Sequence, residues 1–227
     1  MKIVSFRKFL LKALHPILHR LWKLYSRFPS TYTYKNIKVK VLPGVFHPGL
    51  FFSTKLLIDF LDGIHLKDKT VLELGAGAGL ISMLCAKRGA FVTASDISEM
   101  AVKGLRLNAE INDCKIDVVQ SDLFEQLEVK DFEIIIINPP YYPKDPGNID
   151  EYAWFCGEHF EYFQRLFEDL SDMKTNQEVY MVLSEDCDIT RICTISNKFG
   201  LKMKELKRRK VGGEENYIFS VDTKERH

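Results

Sequence analysis

Three carboxylates follow or interrupt apolar stretches at positions that could bind a nucleoside. Glu73 lies within "VLELGAGAG" (residues 71–79), Asp96 ends "AFVTASD", and Asp122 ends "KIDVVQSD". Asp96 comes about twenty residues after the glycine-rich run, which is the separation at which a carboxylate binds ribose hydroxyls in nucleotide-binding folds. The Asp122 carboxylate can accept a hydrogen bond from an adenine amino group.

The glycine-rich run favours a ligand without phosphates. Gly75, Gly77 and Gly79 would let the backbone turn tightly and approach a ligand closely. The run lacks the Lys and Ser/Thr of a phosphate-binding loop. Glu73 within the strand suits a cationic or amino-bearing ligand better than a pyrophosphate. We therefore expect an adenosine derivative without phosphates, although such a turn by itself is shared by many nucleotide-binding proteins.

The elements that must position these residues alternate between strands and helices. From Thr70 onward, continuous apolar runs are separated by helical patterns, which is typical of a parallel sheet covered on both faces. Two last strands are predicted near 201–209 and 216–221. The pair Gly212-Gly213 between them is typical of a hairpin turn, so we expect these strands to be antiparallel. The sequence therefore predicts an α/β fold.

Four local features are also predicted. Helices are expected over about 151–170 and about 187–199. Ser53 is expected to be the N-cap of a helix that ends near Leu61. The alternating "IKVKV" (residues 37–41) predicts a short exposed strand.

The ordered set of motifs resembles the class I S-adenosylmethionine-dependent methyltransferases over roughly residues 42–222. The resemblance implies a Rossmann-like fold with a seven-stranded, mostly parallel sheet that ends in an antiparallel hairpin. It implies S-adenosyl-L-methionine as the cofactor, with no metal. Glu73 would organise the loop and the methionine end, and Asp96 would hold the ribose. The residues that this resemblance assigns to the cofactor are Glu73, Gly75, Ala76, Gly77, Gly79, Asp96, Ile97, Ser121, Asp122, Leu123 and Asn138.

A second motif, "NPPY", directly follows four isoleucines and comprises Asn138, Pro139, Pro140 and Tyr141. In the family that the chain resembles, this motif belongs to enzymes that methylate planar nitrogens, so all four residues are expected to be catalytic. The Asn138 side-chain oxygen and the Pro139 carbonyl would accept the two N–H groups of the nitrogen and orient its lone pair. Tyr141 would offer a flat face for stacking. The simpler interpretation is a proline-rich turn after a strand.

The segment "VFHPGLFFSTKLLIDFL" (residues 45–61) resembles the one before the first strand in the HemK-type release-factor glutamine methyltransferases. Phe46, Pro48 and the following helix match. The acidic residues that follow the proline in that family are replaced by Leu50, Phe51, Phe52 and Ser53. The helical substrate domain of bacterial members is not recognised in this sequence either.

Three functions are therefore carried forward. The first is methylation of a glutamine-type amide nitrogen in a protein substrate. The second is methylation of an adenine amino group in RNA or DNA, with the flipped base stacked on Tyr141. The third is a non-catalytic protein of the same fold that docks on a ribosome or a membrane.

Residues 141–158 are rich in proline and aromatic residues and are expected to form a lid over the substrate. Tyr142 and Trp154 could pack on the substrate, although Trp154 could equally belong to the core.

The N-terminal segment is strongly basic. Eleven Lys and Arg residues precede the first acidic residue, Asp59. The rest of the chain contains the other 21 basic residues and all 31 acidic residues, so it is acidic overall. We predict an arm at residues 1–41, with an amphipathic helix over 3–28, followed by a catalytic domain at 42–227. An anionic partner, such as RNA, a ribosome or a membrane face, would suit this arm. The alternatives are a helix docked on the body and a transit peptide.

The cysteines and histidines point to a reduced environment and to no metal site. None of the five cysteines forms a CxxC pair, which favours buried thiols in a cytoplasmic protein. His15 and His19 have helical i, i+4 spacing, but no acidic or cysteine ligand lies nearby, so we expect them on a basic helix face. No apolar stretch approaches the roughly 20 residues that a bilayer requires.

Overall fold

Continuous apolar strands assemble into one large sheet, as the sequence predicts. The computed structural model describes residues 28–49, 52–211 and 214–223. Within these residues the strands are β1 (Ser30–Tyr34), β2 (Ile37–Val41), β3 (Thr70–Leu74), β4 (Phe91–Asp96), β5 (Ile116–Gln120), β6 (Ile134–Ile137), β7 (Glu178–Ser184), β8 (Leu201–Val211) and β9 (Glu214–Thr223). β1 and β2 form a two-stranded antiparallel sheet, and the other seven form the main sheet in the order β5-β4-β3-β6-β7-β9-β8.

The strand directions in the main sheet confirm the predicted fold. The pairs from β5 to β7 are parallel, whereas β9 is antiparallel to both β7 and β8. The chain order reverses at β3, which has β4 on one side and β6 on the other. In open α/β sheets, ligands bind beyond the carboxyl ends of the strands at such a reversal. The predicted site residues follow these strands.

Helices cover both faces of the main sheet. They are α1 (Phe52–Leu61), α2 (Leu80–Lys87), α3 (Glu99–Ile111), α4 (Glu161–Leu170) and α5 (Ile189–Lys198), with short 3₁₀ segments at Val129–Asp131 and Ile149–Ala153. Side chains cap two of the helices at their N-termini. The Ser98 hydroxyl accepts a hydrogen bond from the backbone N–H of Ala101, and the Asp188 carboxylate accepts one from that of Arg191.

The burial of β6 explains why four isoleucines occur in a row. Ile134 and Ile136 belong to the hydrophobic cluster on the face covered by α1 and α2. Ile135 and Ile137 belong to the cluster on the opposite face, which is covered by α4 and α5. A parallel strand that is buried on both faces has no polar side, so its sequence is continuously apolar.

The strand predicted at residues 37–41 is half-buried rather than exposed. Ile37, Val39 and Val41 point into the core, because β2 pairs with β1 and packs its apolar face against the main domain. The alternation in the sequence predicts the strand, but it does not reveal the surface on which the strand packs. The division of the chain after residue 41 remains a prediction, since residues 1–27 lie outside the described part.

The helix predicted over about 151–170 is interrupted. A 3₁₀ segment ends at Ala153, the next residues form turns and one isolated bridge between Phe155 and Tyr142, and α4 begins only at Glu161. Gly157 and Phe160 both have positive φ, 87° and 66°, which a continuous right-handed helix does not allow. Strand β1 was not predicted.

Ser53 is the second residue of α1 and not its N-cap, so the predicted N-cap position is wrong.

Several expectations fall outside the described residues. These are the amphipathic helix at 3–28, the pair His15 and His19, Leu50 and Phe51, and the turn at Gly212-Gly213.

Asn108 joins three parts of the fold, and its removal should destabilise all of them together. Its side-chain amide donates to the carbonyl oxygens of Lys40 (2.9 Å) and Ala78 (2.9 Å) and accepts from the backbone N–H of Lys40 (2.7 Å). The side chain is fully buried. We expect Asn108→Ala to lower the free energy of unfolding by about 2 to 4 kcal/mol, because backbone groups are left unsatisfied in the interior.

Urea denaturation measures this loss. The matched control is Asn197→Ala. Among the described residues, its exposed side chain donates only to the carbonyl oxygen of Cys193, so its loss should cost about 0.5 kcal/mol. Equal losses in the two variants would contradict the joining role of Asn108.

Candidate active site

One cavity lies at the carboxyl ends of β3, β4 and β6, where the chain order reverses. Every residue that the sequence assigned to a cofactor or to catalysis lines this cavity: Glu73, Gly75, Ala76, Gly77, Gly79, Asp96, Ile97, Ser121, Asp122, Leu123, Asn138, Pro139, Pro140 and Tyr141. Their common location follows from the topology, because parallel strands end on the same edge of the sheet. Their individual roles remain predictions.

The glycines of the β3–α2 loop have two different functions in the structure. Gly75 and Gly79 both have positive φ, 70° and 74°. A Cβ atom on Gly75 would meet no atom within 4 Å, so this side of the loop faces open space. A Cβ atom on Gly79 would lie 2.4 Å from Cδ2 of Leu105. Gly79 is therefore required by the packing of the loop on α3, whereas Gly75 leaves room in the cavity.

Asp96 holds the loop in place in addition to lining the cavity. Its Oδ2 atom accepts a hydrogen bond from the backbone N–H of Gly77 at 2.8 Å, and its Oδ1 atom accepts one from that of Ser98 at 2.9 Å. Burial raises the pKa of Asp96, while these backbone donors act to lower it. Each carboxylate oxygen has a second lone pair, so both can also accept from a ligand hydroxyl.

Glu73 ties β3 to the first turns of α2. Its Oε2 atom accepts from the backbone N–H of Ser82 at 2.7 Å and also from the Ser82 hydroxyl. The residue is only 6% exposed. Burial raises the pKa of Glu73 to about 7, against the opposing effect of the hydrogen bonds from Ser82. The carboxyl group can therefore change charge near neutral pH.

The segment after β5 is organised by hydrogen bonds that the sequence did not reveal. The Ser121 hydroxyl donates to the carbonyl oxygen of Leu123 at 2.9 Å, which stabilises the turn. The Asp122 carboxylate accepts from Arg165 of α4 at 2.8 Å, and Arg165 also pairs with Glu125 at 3.2 Å. Arg165 was missed, because its position beside Asp122 depends on how α4 packs and has no local sequence signal.

The Asn138 side chain has a partner on α1. Its Nδ2 atom lies 3.5 Å from the hydroxyl oxygen of Thr54, which is buried. This long contact directs the amide nitrogen toward Thr54. Among the described residues, the amide oxygen of Asn138 makes no hydrogen bond and can serve as an acceptor at the cavity. Thr54 was also missed, since α1 is distant from Asn138 in the sequence.

Two tyrosines complete the motif at the cavity. The rings of Tyr141 and Tyr142 are 4.8 Å apart between centroids and tilted by 51°. Burial raises the pKa of Tyr141 above its ordinary value and that of Tyr142 to about 12. Both phenols therefore stay protonated at neutral pH, which excludes them as bases.

Several residues of the segment that is predicted to be a lid line the same cavity. The ring of Trp154 packs on that of Phe46, with 5.3 Å between centroids. The Tyr142 backbone is joined to this segment, since its N–H donates to the carbonyl oxygen of Trp154 at 3.1 Å and its carbonyl oxygen accepts from Cys156 at 3.0 Å. Both Tyr142 and Trp154 line the cavity, whereas their packing on a substrate stays a prediction.

Other kinds of site were also sought in the described residues. No group of three or more His, Cys, Asp or Glu side chains there could hold a metal ion. No described helix is long and apolar enough to cross a membrane. All five cysteines are free thiols, but only Cys85, Cys156 and Cys187 are buried as predicted, whereas Cys114 and Cys193 are partly exposed. The cytoplasmic location stays a prediction.

Comparison with known proteins identifies the family. Residues 36–151, half of the chain, match the family model described as the methyltransferase small domain. The chain belongs to this family. The match spans the β3–α2 loop, β4, β5 and the "NPPY" motif, so it includes most of the cavity described above.

Similar sequences carry two kinds of name. One is a Methanocaldococcus jannaschii protein, provisionally named a protein N5-glutamine methyltransferase, which is 42% identical over 124 residues, covering 54% of this chain and 60% of the relative. Another is ribosomal RNA small subunit methyltransferase C of Haemophilus influenzae, 37% identical over 131 residues, covering 56% of this chain and 38% of the relative. The alignments thus span less than two thirds of these relatives.

Solved structures share the fold at low sequence identity. The T. thermophilus 16S rRNA N2 G1207 methyltransferase in complex with AdoMet and guanosine matches with a TM-score of 0.63 and 20% identity, covering 86% of this chain and 50% of that one. The E. cuniculi Mtq2–Trm112 complex, which methylates the termination factor eRF1, matches with a TM-score of 0.62 and 24% identity, covering 79% and 99%. These likenesses establish the Rossmann-like methyltransferase fold.

The raised pKa of Glu73 should make stability depend on pH. In the unfolded chain this group titrates near 4.5, and in the folded protein near 7. The folded state therefore binds the proton more tightly, and the resulting stabilisation is lost as pH rises from about 4.5 to about 7. Relative to Glu73→Gln, the wild-type protein should lose about 3 kcal/mol over this range.

Urea denaturation at several pH values tests this dependence, and titrations elsewhere in the chain cancel in the comparison of the two proteins. Glu133→Gln is the control. Lys69 lowers the pKa of Glu133 through a hydrogen bond, so the stability that it contributes is lost as pH falls, the opposite direction. If the free energy of unfolding changes with pH in the same way in wild type and in Glu73→Gln, the pKa of Glu73 is not raised.

Proposed function

We propose that this chain is an S-adenosylmethionine-dependent N-methyltransferase whose acceptor is a glutamine-type amide nitrogen of a protein substrate. The observation that carries the proposal is the position of Asn138 at the cavity, with its amide nitrogen directed toward Thr54 and its oxygen unbonded among the described residues. Membership of a methyltransferase family supports the reaction class.

The charges around the cavity fit this cofactor. The described lining contains the carboxyl groups of Glu73, Asp96, Asp122 and Asp150 and no Lys or Arg side chain. Such a set disfavours phosphates and suits a ligand with cationic sulfonium and ammonium groups. The open side of Gly75 provides space for close approach of a ligand to the backbone. When bound, S-adenosylmethionine supplies an electrophilic methyl group.

Asp96 and Asp122 are suited to the two ends of an adenosine. Both Asp96 oxygens keep a lone pair for ribose hydroxyls after accepting from backbone N–H groups. In Asp122, the ion pair with Arg165 engages Oδ2 and leaves Oδ1 as an acceptor for an amino group. Arg165 would thus fix the direction in which Asp122 presents that oxygen.

The motif residues would orient the acceptor nitrogen. An amide nitrogen is a poor nucleophile, because its lone pair is delocalised into the carbonyl group. Asn138 Oδ1 and the Pro139 carbonyl oxygen would accept its two N–H groups, direct the nitrogen at the methyl donor and stabilise the positive charge that develops. Pro139 and Pro140 restrict φ and so hold this carbonyl rigidly. Since the two tyrosines stay protonated, they would stack and orient rather than remove a proton.

A nucleic-acid acceptor is the second candidate. An exocyclic amino group of adenine has the same delocalised lone pair and the same two N–H groups, so the Asn138 and Pro139 acceptors fit it equally well. The aromatic side chains of Tyr141, Tyr142 and Trp154 around the cavity could stack on a flipped base. The relatives named as ribosomal RNA methyltransferases support this candidate, whereas the relative named as a glutamine methyltransferase supports the first.

Replacing Asn138 should separate catalysis from cofactor binding. We expect Asn138→Ala to lower the rate of methyl transfer by about 100-fold or more, since one of two groups that stabilise the transition state is lost. The affinity for S-adenosylmethionine, measured by calorimetry, should stay within a few fold of wild type. Asn197→Ala, on the exposed face of α5, is the control and should change neither quantity.

The acceptor is identified in the same experiment by incubating each variant with radioactive cofactor and with total protein or total RNA. Label in protein supports the amide acceptor, and label in nucleic acid alone supports the second candidate. A collapse of cofactor affinity in Asn138→Ala would contradict the acceptor-orienting role.

A further inference from the structure

Strand β8 forms one edge of the main sheet and carries an unusual density of positive charge. Four of its basic residues, Lys202, Lys204, Lys207 and Arg209, are exposed or partly exposed and are called here the basic row. Edge strands often carry lysines, because charge there prevents association of sheets through their edges. That purpose does not require the charges to share one face.

A β-bulge places all four residues of the basic row on the same face. Lys202 and Lys204 lie opposite Asp222 and Ser220 of β9, and after a register shift between Glu205 and Lys207 the pairing continues with Lys207 opposite Ile218 and Arg209 opposite Asn216. These four partners alternate along β9 and therefore point to one side of the sheet. Without the extra residue, Lys207 and Arg209 would point to the opposite side from Lys202 and Lys204.

Most of this charge is not neutralised within the protein. Arg209 pairs with Asp59 of α1 at 2.9 Å. Among the residues that the structure describes, no carboxylate lies within ion-pair distance of Lys202, Lys204 or Lys207. The three lysines therefore lie at intervals of about 7 Å along the strand without a close ion pair, and only Lys202 has an acidic residue, Asp222, directly opposite it on β9.

The basic row leads toward the edge of the sheet that contains the cavity. β8 is antiparallel to β9, which is antiparallel to β7, so β8 runs in the same direction as the parallel strands. Its Arg209 end thus lies at their carboxyl ends. Three strand spacings separate β8 from β6, the strand that leads to Asn138, which is about 14 Å.

We infer that the basic row binds the phosphate backbone of a single strand of nucleic acid that passes the mouth of the cavity. A line of separate charges at a regular interval matches the repeated charges of a polyanion. A single phosphate would require converging groups rather than a line of charges. An anionic membrane face also attracts separate basic side chains, so the experiment below includes vesicles as a competing anionic surface. The inference goes beyond the proposed function, since such a strand could be the substrate or could belong to a ribonucleoprotein that carries a protein substrate.

Binding of the full chain to a fluorescent single-stranded RNA, followed by anisotropy over a range of salt concentrations, tests the inference without methyl transfer. The variant Lys202→Gln/Lys204→Gln/Lys207→Gln should bind about tenfold more weakly or worse, and its salt dependence on a log–log plot should be shallower by about 2. The matched control, Lys67→Gln/Lys115→Gln/Lys198→Gln, removes the same charge from exposed positions outside the row and should change affinity by about twofold at most.

Two further arms complete the design. A DNA strand of the same sequence shows whether the sugar contributes, and vesicles that contain phosphatidylserine test a membrane as the source of the anionic surface. Equal weakening in both triple variants, an unchanged affinity in the row variant, or binding of wild type to the vesicles but not to the strand would overturn the inference. If molecules of the triple row variant associate with each other through the edge of the sheet, the single variant Lys204→Glu is used in its place. An unchanged affinity of Lys204→Glu for the strand would also contradict the inference.

Discussion

The cavity depends on the hydrogen bonds that Asp96 accepts from the backbone of two loops. By binding the N–H groups of Gly77 and Ser98, this carboxylate joins the turn after β3 to the turn after β4. Glu73 adds a second connection, from β3 to α2 through Ser82. These contacts attach the glycine-containing loop to β4 and to α2, and the open side of Gly75 leaves space for a ligand within that frame.

The same carboxylates determine which ligands the cavity suits. Burial of a carboxylate costs free energy, because the charged form loses its hydration. For the same reason, burial raises the pKa of Glu73 and of Asp96. With no cationic side chain among the described lining residues, a phosphate would be repelled, whereas hydroxyl, amino and cationic groups would be favoured. Structural stability and ligand choice are therefore connected at this site. In contrast to the acidic cavity, the outer edge of the sheet is basic, because β8 carries the basic row.

Much of the fold and the composition of the site could be predicted from local patterns. Four consecutive isoleucines indicate a strand covered on both faces, and the glycines after "LEL" indicate the turn at the cofactor end. What was missed depends on contacts between distant segments. Thr54 approaches Asn138 and Arg165 approaches Asp122 only because helices pack across the sheet. Strand β1 and the break before α4 were missed for a related reason, since pairing and positive φ at Phe160 overrode local propensity.

Calorimetric titration with S-adenosylmethionine tests the central claim, that this cavity is built to hold a phosphate-free adenosine cofactor. Gly75→Ala and Gly200→Ala share a backbone strain, because both glycines have positive φ and neither Cβ would meet an atom within 4 Å, but only Gly75 faces the cavity. We predict that wild type and Gly200→Ala bind alike and that Gly75→Ala binds about tenfold more weakly or worse. No binding to wild type, or equal affinity in the two variants, would contradict the account.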